Sequence, residues 1–217
     1  MENKKKDLRV FRPGAFDWSP YFNVIAVKDY RDAEFVAHHG GADISPSIYG
    51  HKNSRSYCSE WQIEADKKEL AMMEYCVKHG IPQFGNCRSF QLLNVLNGGT
   101  MLQHVNHGSS HMVDTYNGKK VLTNSIHHQM INPWLPQTGV DKCKIEVLGW
   151  TNVSNVHIGQ DGTELEFEEN QQSEIEIAFF PDLNAFGIQS HVDFGGHYPD
   201  LYKFLYEEML NKLIFPN

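Results

Sequence analysis

A thiol, an imidazole and a carboxylate are the parts needed for covalent attack on a carbonyl, and this chain offers all three. Cys87 lies in the stretch from Ile81 to Gly99, IPQFGNCRSFQLLNVLNGG. The apolar run Ile81 to Phe84, bounded by Gly80 and Gly85, reads as a buried strand. Phe90, Leu92, Leu93, Val95 and Leu96 then follow at mixed helical spacing until Gly98-Gly99 stops them. Cys87 therefore sits where a strand turns sharply into a helix, with the helix N-terminus favouring the thiolate. The N–H of Arg88 is free there to meet a developing oxyanion. Taken by itself, the pattern also describes a half-buried structural cysteine in an ordinary turn.

Distant residues complete the set. His191 and Asp193 are two apart in GIQSHVD, Gly187 to Asp193, and residues so spaced in an extended segment share a side. A cysteine nucleophile needs an imidazole to take its proton, and the imidazole needs a partner to fix its tautomer. Cys87, His191 and Asp193 fill those roles. Gly40-Gly41, in HHGGADISP from His38 to Pro46, end an apolar run in a glycine turn that offers a second oxyanion donor, the N–H of Gly41. His128 is a competing base, but only His191 has a carboxylate placed to orient it.

The elements that must carry these residues alternate. Leu8 to Phe11, Asn23 to Val27 and Phe35 to His38 are candidate strands, with room after the first for only a short helix at Tyr21 and Phe22. Ile48 to Cys58 reads as a surface loop. A helix starts after Ser59, with Gln62 completing a capping box, and runs to Gly80 with a stripe of Ile63, Leu70, Met73 and Val77. Helix, strand and elbow in succession predict an α/β fold: three layers, a mostly parallel central sheet flanked by helices, and sites at the carboxyl ends of strands. Beyond Gly99 the pattern becomes an antiparallel extension. Met112 to Tyr116 and Lys120 to Ile126 flank the hairpin signal Asn117-Gly118; Ile145 to Trp150, Ile175 to Phe180 and Phe186 to Gln189 are further strands. Gly159 to Ser173 is an acidic surface stretch. Pro199 to Leu213 is a closing helix with Leu201, Phe204, Leu205, Met209 and Leu213 on its core face.

The segments together resemble the class I glutamine amidotransferases, and within them the gamma-glutamyl hydrolase branch. The family's Gly-Gly-x-Asp-x-x-Pro loop, Gly-x-Cys-Arg-Gly-x-Gln elbow, Ser-x-His-His-Gln strand and Gln-x-His-Pro-Glu end stand here as Gly40 to Pro46, Gly85 to Gln91, Ser125 to Gln129 and Gln189 to Asp193. The resemblance implies a flavodoxin-like sheet and hydrolysis of glutamine or a gamma-glutamyl amine through a thioester on Cys87. It also implies that Gln91, His128 and Gln129 hold the substrate's alpha-amino and alpha-carboxylate groups. Two positions depart from the pattern. Ser89 replaces the second elbow glycine, so that Ser89→Gly is expected to be neutral or activating, and Val192-Asp193 replaces Pro-Glu, which shortens the histidine's partner by one methylene. These departures motivate a second reading, a catalytically silent binding or scaffold subunit.

The composition of the 217 residues is that of a soluble globule with 41% hydrophobic residues, expected to form a single domain. A net charge of −8 argues against general nucleic-acid binding. No run is long enough to span a membrane, and Lys4-Lys5-Lys6 leads into Asp7 with no apolar segment, so no signal peptide is expected. Cys58, Cys76, Cys87 and Cys143 lack metal or redox spacing and suit reduced thiols in a cytoplasmic setting. His104, His107 and His111 cluster without a carboxylate or cysteine to complete a ligand set, so no metal and no cofactor is expected and they are taken as surface or pocket-lining. The partners are a small gamma-glutamyl substrate and, if the leaving amine is ammonia, a separate synthetase subunit to receive it.

Overall fold

The computed structural model describes residues 5–107, 110–167, 172, 174–192 and 198–214. In chain order the strands are β1 (Lys6–Phe11), β2 (Phe22–Val27), β3 (Phe35–His38), β4 (Gln83–Asn86), β5 (Gly99–Leu102), β6 (His104–Val105), β7 (His111–Thr115), β8 (Lys120–Thr123), β9 (Met130–Pro136), β10 (Glu146–Thr151), β11 (His157–Ile158), β12 (Glu174–Phe180) and β13 (Ala185–Ile188). The helices are α1 (Glu60–His79), α2 (Arg88–Leu96) and α3 (Pro199–Met209), the last running on into a π-helical turn, Leu210–Ile214. Nine strands form one sheet in the order β2-β1-β3-β4-β13-β12-β10-β7-β8. The pairs from β2 to β13 are parallel and those from β13 to β8 antiparallel. This is the mixed α/β fold with a largely parallel core and an antiparallel extension that the motif order predicts.

Apolar side chains cover both faces of the sheet. On one, Leu201, Phe204, Leu205, Met209 and Leu213 pack with Phe16, Trp18, Phe84 and Phe186. On the other, Met73 of α1 and Phe90, Leu92 and Leu93 of α2 pack with Ile131, Ile175 and Phe180. The helical spacing in the last segment thus marked the face that α3 buries. No helix among the described residues is long and apolar enough to cross a membrane.

Two expectations need correction, and one strand was not foreseen. The connection from β1 to the parallel β2 contains only a 3-10 turn, Pro13–Ala15, and Tyr21 and Phe22 start no helix. Phe16 and Trp18 are each 2% exposed and fill the space a crossover helix would cover. Ser59 occupies the N-cap position of α1 but makes no side-chain cap bond, and Gln62 forms no capping box; its amide donates instead to Asp66 Oδ1 at 3.2 Å. The strand β9, antiparallel to β5, has no counterpart in the sequence reading. Its Pro133 and Pro136 argue against a strand, and prolines are tolerated there because β5 and β9 form a separate two-stranded sheet rather than the centre of the large one.

Candidate active site

β3, β4 and β13 lie side by side and parallel, with His38 opposite Gly85 and Asn86 opposite Ile188. Their carboxyl ends therefore release His39-Gly40-Gly41, Cys87 and Gln189-Ser190-His191 along one edge of the sheet, at spacings of about 4.8 Å per strand. Cys87 takes φ 48°, ψ −114°, a backbone conformation costly for a residue with a Cβ and typical of a strand-to-helix nucleophile elbow. Its N–H donates to the carbonyl of Ile188 at 2.8 Å, which ties the elbow to β13. The turn is tight enough that a Cβ at Gly85 would come 2.9 Å from the carbonyl carbon of Ser89.

The imidazole is brought to the same place. A Cβ on Gly40 would lie 2.4 Å from Cε1 and 3.0 Å from Nδ1 of His191, so the ring rests on the backbone of the glycine loop. Asn124 holds the backbone behind that ring from both sides. Its Oδ1 accepts the His191 N–H at 3.0 Å and its Nδ2 donates to the His191 carbonyl at 2.7 Å. Cys87 and His191 are 4% and 7% exposed. Asp193 lies outside the described residues.

The Arg88 side chain runs beside Gly41 of the glycine loop. A Cβ on Gly41 would lie 3.0 Å from Cδ of Arg88, and Arg88 opens α2, where backbone N–H groups lack helical partners. The Arg88 guanidinium pairs with Asp66, buried on α1. Asp66 also accepts the N–H of Ser45 at 2.9 Å, so one carboxylate fastens the glycine loop and the elbow together. Asp66 was absent from the sequence reading; the signal that could have found it is the spacing of Gln62, Asp66, Met73 and Cys76, all buried on one helix face.

Ser89, expected to crowd the elbow, does the reverse. Its buried hydroxyl lies 3.0 Å from the carbonyl of His38 and 2.9 Å from that of Asn86, the last residues of β3 and β4. These bonds give the Ser89 hydroxyl a structural role that argues against a neutral Ser89→Gly.

The three pocket residues are near one another but committed to protein partners. Gln91 donates to the carbonyl of Gln129 at 3.0 Å and to Gln189 Oε1 at 3.4 Å. Gln129 donates to Ser56 Oγ at 2.9 Å, and its Oε1 accepts the N–H of Ile44 at 3.1 Å. His128 Nε2 lies 2.7 Å from Asp43 Oδ2, and its ring packs against Tyr57 with centroids 4.7 Å apart. The structure also corrects the placing of His107 and His111 at the surface or pocket wall. Their side chains are buried against Glu174 and Glu176, carboxylates too distant in sequence to be joined to them by spacing.

Residues 33–133 match the Peptidase C26 family. The C26 match takes in the glycine loop, the Cys87 elbow and Ser125 to Gln129, and stops short of His191. Protein NtpR of Enterococcus hirae is 39% identical over 64 residues, 30% of this chain and 26% of its own length. The glutamine amidotransferase-like protein YvdE of Lactococcus lactis subsp. lactis is 38% identical over 71 residues, 33% of this chain and 30% of its own. Its homologue in Lactococcus lactis subsp. cremoris is 31% identical over 114 residues, 42% of this chain and 60% of its own. The chain thus spans less than two thirds of the relatives it matches. In solved structures, the fold is similar to that of a glutamine amidotransferase from Thermotoga maritima, with a TM-score of 0.53 at 13% identity over 97% of this chain and 86% of that one. At that identity the likeness speaks for the fold, and the C26 match for the kinship of the matched stretch with glutamine amidotransferase-like proteins.

Proposed function

We propose that the chain hydrolyses a gamma-glutamyl amide through a thioester on Cys87, in the manner of the gamma-glutamyl hydrolase branch. His191 takes the thiol proton as Sγ bonds to the delta carbonyl carbon. The N–H groups of Arg88 and Gly41 receive the charge on oxygen. The tetrahedral adduct collapses with loss of the amine, which leaves with the proton from His191. Water, deprotonated by the same imidazole, then adds to the thioester, and glutamate and the free thiol are regained. Asp193, by its position two residues on, is assigned to orient the imidazole. Gln91, His128 and Gln129 form the wall that receives the glutamyl end. Where the leaving amine is ammonia, a separate synthetase subunit would receive it.

The observation that carries this reading is the strained, positive-φ Cys87 at the end of β4, with the His191 ring packed on the loop that supplies Gly41. Glutamate release from glutamine and from a panel of gamma-glutamyl amines tests it. Cys87→Ser should abolish release with little loss of stability, since the volumes are similar and the serine has no low-pKa thiolate. Retention of more than a small fraction of the rate would remove Cys87 as nucleophile.

One observation favours the second reading, a silent scaffold. The amides of Gln91 and Gln129 are already taken up inside the protein. Thiol labelling separates the two: a triad thiolate reacts with iodoacetamide near neutral pH far faster than Cys58, Cys76 or Cys143, whereas a silent site gives Cys87 no such advantage.

A further inference from the structure

Away from Cys87, four histidines and two glutamates meet around β12. Among them, the side chains of His107, Glu174, Glu176 and His127 are 0–2% exposed and that of His111 is 7% exposed. His107 Nε2 donates to Glu174 Oε2 at 2.5 Å and His157 Nε2 to Glu174 Oε1 at 2.9 Å. The N–H groups of Val153 and Ser154 also donate to Glu174, at 3.2 and 2.9 Å. These four donors occupy both oxygens of Glu174.

Glu176 is different. Its Oε1 lies 3.1 Å from His111 Nε2, 3.7 Å from His107 Nδ1 and 4.0 Å from His127 Nε2. Its Oε2, His107 Nδ1 and His127 Nε2 are buried with no hydrogen-bond partner among the described residues. The tautomers follow from the outer contacts. His107 spends its Nε2 proton on Glu174, and His127 spends its Nδ1 proton on the carbonyl of Gln129 at 3.2 Å. Two bare imidazole lone pairs thus face a carboxylate. Acceptors turned on one another in a dry interior repel, and a cation between them removes the conflict.

We propose that His107 Nδ1, His111 Nε2, His127 Nε2 and Glu176 form a divalent transition-metal site of the zinc class. Bonds of about 2.0–2.2 Å in a tetrahedron set donors roughly 3.3 Å apart; donor atoms of His107, His111 and Glu176 lie within 4.8 Å of one another and His127 Nε2 lies 4.0 Å from Glu176 Oε1, so binding would draw these side chains inward. The second contacts have the form that holds metal-bound histidines in place: a carboxylate on His107, a backbone carbonyl on His127. Imidazole and carboxylate donors without thiolate suit zinc over copper(I) or an iron–sulfur cluster. The site is structural in character. It would fasten β12 and the segment before β7 to the segment carrying His128 and Gln129, and the Gln129 carbonyl bonded by His127 is the one that takes the Gln91 amide.

Metal analysis of protein purified without chelator, followed by titration of the stripped protein with zinc or cobalt(II) salts alone, tests the site. One zinc per chain is expected, with a rise in thermal midpoint on zinc addition and, for cobalt, the strong visible absorption of a four-coordinate ion. Glu176→Gln and His127→Ala should lose stoichiometric binding, and Glu174→Gln should weaken it about 10- to 100-fold. His104→Ala and Cys87→Ser should bind as the parent does, so that failure of the catalytic reading leaves this result standing. Parent protein that takes up neither metal in stoichiometric amount would overturn the site, whatever the variants do. Folded Glu176→Gln or His127→Ala that bind like the parent would overturn the ligand assignment.

Discussion

At the scale of single residues, the candidate site depends on hydrogen bonds that no motif displays. Ser89→Gly deletes a hydroxyl serving two buried carbonyls, and the expected loss is about 1–3 kcal/mol, read as a lower urea midpoint with unchanged slope. A midpoint equal to the parent's would mean that water or backbone movement replaces the hydroxyl. Asn124 is a positioning residue for His191. Asn124→Ala frees both backbone groups that hold the histidine, and small misplacements of a catalytic group cost on the order of 10- to 100-fold in rate. The loss should fall in kcat for glutamate release with little change in KM, since Asn124 has no assigned contact with substrate; a change confined to KM would count against this role. The candidates Cys87 and His191 and the glycine loop were readable because the roles of nucleophile and base and a close backbone approach each demand a residue type. Asn124, Asp66 and Glu176 were not, because an amide or carboxylate in sequence carries no mark of the partner that tertiary packing assigns to it.

At the scale of elements, the strand–elbow–helix unit was legible because its signals are local: an apolar run, glycines at its bounds, helical spacing, a Gly-Gly stop. The crossover after β1 was not, since Phe16 and Trp18 replace a helix with aromatic bulk and leave no periodicity. Helix α1 shows why polar residues on a buried face matter. Asp66 is 0% exposed and joins α1 to both the elbow and the loop through Arg88 and Ser45. Asp66→Ala leaves the Arg88 charge buried without its partner, which should cost about 3–5 kcal/mol. Chemical denaturation measures the cost, and the double variant Asp66→Ala, Arg88→Met should recover part of it. No recovery would place the damage in the loop rather than in the orphaned guanidinium.

At the scale of the whole molecule, the parallel half of the sheet rests on a charged cluster at the ends of β1 and β3. Glu69 lies 2.7 Å from both Arg12 Nη1 and His38 Nδ1, and the Cys76 thiol is pushed up to about 12 by burial and by Glu69. Burial raises the Glu69 carboxyl, but His38 and Arg12 outweigh it and pull it from 4.5 to about 2. A carboxyl held lower in the folded than in the unfolded chain adds stability that is present above pH 4.5 and lost as the pH falls towards 2. The contribution is about 3 kcal/mol. Denaturation midpoints taken across that interval should fall more steeply for the parent than for Glu69→Gln; equal slopes would mean that Glu69 does not carry the effect.

The place of β13 has a consequence in time. It lies between β4 and β12 in the sheet, yet residues 87–184 separate it from β4 along the chain. A ribosome therefore delivers the thiol long before the imidazole, and until β13 inserts, β4 presents an open edge and Cys87 lacks the carbonyl of Ile188 that anchors its turn. The unfinished chain carries Cys87 without its candidate base, and on the proposed function the pair would come together only when the centre of the sheet closes.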